Sequence, residues 1–236
     1  MQAGLQVTLS PGTVAWLLAA VFAGLVACGT AAEIALNVGG LRSAFGLVPL
    51  FNLSYEGNLP TWYASLLLLA CAALLFLIGQ LAASGRLPYR WHWRCLGLIF
   101  LYISIDEAVM IHESLNAPLR DALALGGIFY FAWVIPFALL LLVLFLAYLR
   151  FLLRLPRRFG ALFVLAGAVY VGGALGTELP ISAWYEVHGG DNLVYGLLNL
   201  GQESLEILGA SIFCAALVGY LAAQFGTLRI VFAPQR

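Results

Sequence analysis

The chain has 236 residues, 63% hydrophobic and 9% charged, with 11 basic and 11 acidic residues cancelling to zero net charge and a mean hydropathy of +0.99. So few charges could not cover a water-soluble domain of this size, so much of the surface must face lipid. Zero net charge argues against a nucleic-acid partner, and all 11 bases are arginine, which removes a lysine nucleophile or Schiff base.

Six apolar runs reach the roughly 20 residues needed to cross a bilayer. They are 13–35, 60–83, 94–115, 126–153, 159–185 and 193–225, and they predict an all-α integral membrane bundle in which residues 1–236 form one transmembrane domain. Pro60, Pro88, Pro118, Pro156 and Pro180 fall at or near run ends, where proline is tolerated. No basic residue precedes the first run, so it reads as a span and not as a cleavable signal. The loop 36–59 carries "FGLVPLF", an apolar stretch suited to the interface or to dipping into the membrane. Cys28, Cys71, Cys95 and Cys214 are far apart and read as buried free thiols.

Arginine counts set the orientation. The 2–3 connection holds Arg86, Arg90 and Arg94, the 4–5 connection Arg150, Arg154, Arg157 and Arg158, and the C-terminal tail Arg229 and Arg236. Only Arg42 and Arg120 fall on the other side, which places both termini in the cytoplasm. Trp62, Tyr63, Trp184 and Tyr195 then make an outer aromatic belt, and Tyr89, Trp91 and Trp93, with His92, an inner one.

The acids break the pattern. Glu33, Asp106, Glu107, Glu113, Glu178, Glu186, Glu203 and Glu206 lie in or at the edge of spans, with no arginine at their depth. A lone charge at the bilayer centre costs about 2.5–3.5 kcal/mol on insertion scales. These carboxylates must therefore be protonated, wetted, or neutralised by a bound cation. At 1.5 Å per residue, Asp106 is expected near the midplane, and Glu33, Glu113, Glu178, Glu203 and Glu206 in the outer half.

The segment "SIDEAVMIHESL" (104–115) holds four of the candidate ligands. At 100° per residue Asp106, Met110 and Glu113 share a stripe, but Glu107 and His112 point about 140° apart, so an ideal helix cannot aim both at one ion. Either one of them stands back from the ion, or a π-bulge reshapes the turn. In span 6, Asn199, Gln202, Glu203 and Glu206 form one polar stripe. In span 5, Ala168, Gly172 and Gly176 form a small-residue face that a neighbouring helix or a partner protein could approach closely.

Carboxylates from several helices with one imidazole are a divalent-metal ligand set suited to Fe, Mn or Zn. The expected ligands are Asp106, Glu107, His112, Glu113, Glu178, Glu203 and Glu206, with Glu107 and Glu203 as candidate catalytic acid/bases. His188 reads as a loop residue, and a haem between His112 and His188 is disfavoured by the surrounding acids.

Together, "EGNLPTWYASLLLL" (56–69), "SIDEAVMIHESL", "RLPRRFGALFVLAGAVYVGGALGTE" and "QESLEILG" resemble a family of uncharacterised bacterial polytopic membrane proteins. That family carries E-x-N-x-P-T-W-[FY], S-x-D-E-x4-H-E and E-x-x-E segments. The resemblance implies a multi-pass protein of the bacterial inner membrane and brings no activity. It marks Glu56, Asn58, Pro60, Thr61 and Trp62 as recurrent positions beside the acids. The family often has a second serine where this chain has Ala64, so Ser65 is not read as a nucleophile.

The leading expectation is a cation-binding membrane protein whose metal site, if catalytic, acts on a lipid or other apolar substrate through metal-bound water or oxygen. A proton- or cation-coupled transporter would need polar residues continuing inward, where spans 3, 5 and 6 read "CLGLIFLYI", "ALFVLAGAV" and "ASIFCAALVGYL". An auxiliary subunit of a larger membrane complex is the third expectation.

Overall fold

The computed structural model describes residues 10–86 and 88–226, so Arg229 and Arg236 lie outside the described residues. The described chain is helical: α1 Pro11–Asn37, α2 Leu47–Phe51, α3 Leu59–Leu81, α4 Arg90–Val109, α5 Asn116–Leu123, α6 Val134–Arg154, α7 Arg157–Val171, α8 Glu178–His188 and α9 Leu193–Phe225. Five helical segments are long and apolar enough to cross a membrane, and α4 with α5 makes a sixth if that bent pair counts as one.

Local chemistry fixes the helix starts. Ser10 caps α1, its Oγ accepting from Thr13 N at 3.0 Å, with Pro11 in the first turn. Asn58 caps α3, accepting from Thr61 N at 3.2 Å, while its Nδ2 donates back to the Asn52 carbonyl. Asn58, Pro60 and Thr61 thus have a structural account: they start a helix and pin the loop before it. Asn192 caps α9 from Tyr195 N and also accepts from Trp184 Nε1, each at 3.0 Å.

Two of the expected spans have different limits. The third ends at Val109 and not at 115: the chain turns by 77° before α5. The fourth begins at Val134 and not at 126, because residues 127–129 form a short 3-10 turn ahead of it. Asp106, expected mid-span, therefore lies in the last turn of α4. "FGLVPLF" folds into the short α2 and its lead-in.

α3 packs along α4, and α9 lies against α1, α3 and α7. Reciprocal bonds clamp α3 to α4, Ser65 Oγ donating to the Ser104 carbonyl at 2.7 Å and Ser104 Oγ to the Ser65 carbonyl at 2.8 Å, so both serines are structural. α7 meets α9 at glycine: a Cβ on Gly209 would lie 2.6 Å from the Tyr170 backbone nitrogen. The Ala168/Gly172/Gly176 face makes no such contact. A Cβ on Gly172 or Gly176 would meet nothing within 4 Å, and the close approach in that span belongs to Gly173. α6 packs along α7 and meets α4 through Tyr148 and Phe151.

The main core gathers where the arginine-bearing ends of α4, α6 and α7 meet. Trp93 lies 4.8 Å from Phe151 and 5.1 Å from Tyr220 between ring centroids, and Tyr148 OH donates to the His92 carbonyl at 3.0 Å. Trp93, expected in an aromatic belt, is buried at 1% exposure. Tyr63 is half-buried against the core, whereas Trp62 and Trp91 are exposed as a belt requires. Cys71 and Cys214 are buried, but Cys28 and Cys95 are exposed on their helices.

Candidate functional site

At the opposite end the helices draw apart around a cavity of about 240 Å³. Its construction starts at the break after α4. Met110 takes up a left-handed conformation, φ 55° and ψ 44°, which a side chain with a Cβ adopts only when its surroundings hold it there. Asp106 does the holding. Its Oδ1 accepts from His112 N at 2.9 Å and its Oδ2 pairs with His112 Nδ1 at 2.7 Å, while its carbonyl accepts from Met110 N at 2.7 Å. The phase conflict between Glu107 and His112 is thus resolved by ending the helix, not by a π-bulge within it.

A π turn does occur in the next acid-bearing span, at Gly172–Thr177, directly before Glu178. Pro180 lacks the N–H that would continue the regular pattern back to Gly176. Gly173 lets this turn sit on α9, where a Cβ would fall 3.0 Å from the Gln202 carbonyl oxygen and 3.1 Å from Glu206 Cγ. Glu178 is buried and held by two donors, Trp133 Nε1 at 3.2 Å and Gln202 Nε2 at 2.8 Å. The Gln202 Oε1 atom is itself buried without a partner among the described residues.

All seven expected ligands line this one cavity: Asp106, Glu107, His112, Glu113, Glu178, Glu203 and Glu206. Asn199 and Gln202 line it too. Sequence reasoning kept Glu56 only as a recurrent position, yet it also faces the cavity, making seven of the chain's eleven acids, with no arginine on the wall. Glu56, Glu107, Glu113 and Glu203 have no protein donor among the described residues, and Glu206 has only the Gln202 amide beside it. Trp133, Tyr170 and Tyr195 complete the wall and were not singled out as site residues from the sequence. The sequence places Tyr195 in the outer aromatic belt, whereas it lines the cavity. Trp133 sat in what read as an unbroken apolar span.

Two acids counted with this group stand apart. Glu33, 1% exposed, accepts from Ser54 Oγ at 2.6 Å and Asn37 Nδ2 at 2.8 Å beneath Gly196. Glu186 accepts from Gly127 N at 2.6 Å. His188 is exposed and stacks on Trp184 at 4.0 Å, away from the cavity. Among the described residues no three His, Cys, Asp or Glu side chains converge closely enough to hold a metal ion in the positions they occupy.

Glu56 lies in the loop before α3, and partial burial, followed by the neighbouring Glu113 charge, raises its carboxyl above the ordinary value of 4.5. Folding therefore favours the protonated form. That contribution to stability is whole below pH 4.5 and is lost as pH rises through the folded-state value. Metal-free protein should gain stability as pH falls from neutral toward the carboxylate range, and Glu56→Gln should flatten that profile in thermal unfolding scans. An unaltered slope would mean that Glu56 is solvated as in an unfolded chain.

No curated protein matches the chain, and no solved structure matches it. A family model described as Domain of unknown function (DUF8692) matches residues 13–220. With most of its length covered by that model, the chain belongs to this family of unknown function.

Proposed function

We propose that the protein is a multi-pass protein of a bacterial inner membrane, both termini cytoplasmic, that binds a divalent cation (Fe, Mn or Zn) in the acid-lined cavity. One observation carries the reading: seven carboxylates share a cavity whose wall has no arginine or lysine, and His112 as its one imidazole. At 4 Å two like charges repel by about 1 kcal/mol in water and about 4 kcal/mol at an effective dielectric of 20. A cation offsets that repulsion for several acids at once, and four of them have no protein donor to stabilise their charge in its place.

The donor set supports the same assignment. With Nδ1 bonded to Asp106, the remaining ligand atom of His112 is Nε2. A carboxylate behind a histidine is the usual way to fix the ring toward a metal, so Asp106 orients the ligand and does not itself ligate. Glu107, Glu203 and Glu206 supply the hard oxygens. Glu chains have three rotatable bonds and can close on an ion from separate positions. The buried Gln202 Oε1 needs a donor or a cation, and a site here would satisfy it.

Catalysis on an apolar substrate, with Glu107 or Glu203 as acid/base, is the activity such a site would serve. Passage of ions through the molecule is the weaker reading, because the space beyond the cavity is lined almost entirely by apolar side chains. The small-residue face Ala168/Gly172/Gly176 remains the place for a membrane-protein partner. Elemental analysis of protein purified without chelators tests the proposal. About one or more equivalents of a transition metal is expected, and less than about 0.3 for every metal would remove it.

A further inference from the structure

The acid-lined cavity does not end at its acids. A second space of about 230 Å³ continues from it toward the arginine-bearing end. The two share Ile99, Ile103, Leu141, Leu144, Tyr170 and Val171 as common wall. The lower space is a slot between α4 and α6, backed by α7 and α9, and it closes where Tyr148 and Phe151 of α6 meet α4. It follows α4 from Ile103 to Leu96, about 10 Å at 1.5 Å per residue. Tyr148, bonded to the His92 carbonyl, and Phe151 lie at its far end. Gly167 lies on its wall, where a Cβ would meet nothing within 4 Å.

We propose that this slot binds the apolar chain of a single-chain amphiphile whose uncharged or cationic head group, a hydroxyl, carbonyl or amine, enters the carboxylate cavity. The proposal rests on the cation-binding reading and names the substrate class of that site. Two features select this occupant. Acyl chains leaving the bilayer gain little by entering another apolar space, since lipid is already apolar, so the slot sets position and the head supplies affinity. Seven carboxylates outnumber the two charges of a divalent cation and no arginine joins it, so the wall stays negative, which disfavours an anionic phosphate or carboxylate head and favours a neutral or positive one.

The test is photolabelling of the full chain in lipid nanodiscs with a diazirine-bearing long-chain 1-alkanol. The fatty acid of the same chain length serves as control, and adducts are mapped by peptide mass spectrometry. Adducts are expected on the slot-facing residues of α4 and α6, fewer with the fatty acid, and lost in Gly167→Leu. That variant grows into open space and replaces a helix-weakening glycine, so circular dichroism and metal content should match the parent. Adducts spread evenly over exposed helix faces, undiminished labelling in Gly167→Leu, equal labelling by the anionic probe, or a co-purified subunit shielding the slot would each overturn the proposal. Slot adducts in a protein that carries no metal would retire the cation reading while upholding the chain site.

Discussion

Glu203→Gln should purify with at least about tenfold less bound metal than the parent, at unchanged helical content. Glu203 stands on α9 in the cavity without a protein donor, so the amide removes a charge and a ligand but no hydrogen bond of the fold. Two effects of opposite sign follow. Metal-free Glu203→Gln should unfold later than the metal-free parent, by about 1 kcal/mol, because a carboxylate near Glu206 and Glu107 no longer repels them. Added metal should stabilise the parent and leave the variant nearly unmoved, since binding stabilises only in proportion to its affinity for the folded state. Thermal unfolding with and without a chelator, together with elemental analysis, reads both. Full metal content in the variant would exclude Glu203 as a ligand.

Asp106→Ala should cost about 3 kcal/mol, the range for removing one partner of a buried, hydrogen-bonded charged pair. The carboxylate is buried, it accepts from both the backbone and the ring of His112, and the break at Met110 is closed around it. Its loss leaves two donors unpaired and frees a strained residue to relax, so α5 and the cavity rim should loosen together. Asp106→Asn retains an acceptor and should lose roughly half as much. Trp133, whose ring lies 4.6 Å from His112, supplies a fluorescence signal for denaturant unfolding in detergent. An unmoved midpoint in Asp106→Ala would show that the turn is held by other contacts.

Much of this arrangement was legible because it depends on gross polarity. Runs of apolar residues long enough to cross lipid must appear as runs, and they do, within a few residues for α3 and α9. The separation of arginines from acids also survives folding, since neighbouring helices run in opposite directions and bring like ends together. What stayed hidden depends on backbone conformation. Met110 carries no compositional mark of a left-handed turn, so the helix reads through to Leu115 in the sequence, six residues past the break that puts Asp106 in the last turn of α4. Glycine roles hid for a related reason. Gly172 and Gly176 fit a familiar spacing yet a Cβ on either would meet nothing within 4 Å, while Gly173, one residue away on another face, carries the contact. Glu56 was missed as a site residue because it lies in a loop, and helical phase arguments say nothing about loops.

The length of α9 has a consequence for the surrounding bilayer. Its 33 residues extend about 50 Å, some 20 Å more than a typical hydrocarbon layer of about 30 Å. Tilting relieves such mismatch, but helices seldom lean beyond about 40°, which absorbs only part of the excess. If α9 crosses the bilayer along its whole length, the membrane swells locally or one end of the rod passes beyond the hydrocarbon. On the cation-binding proposal, Glu203, about 15 Å from the start of the rod, would sit toward the end where lipid is perturbed, and a hydrated ion would reach it without traversing an intact oil layer.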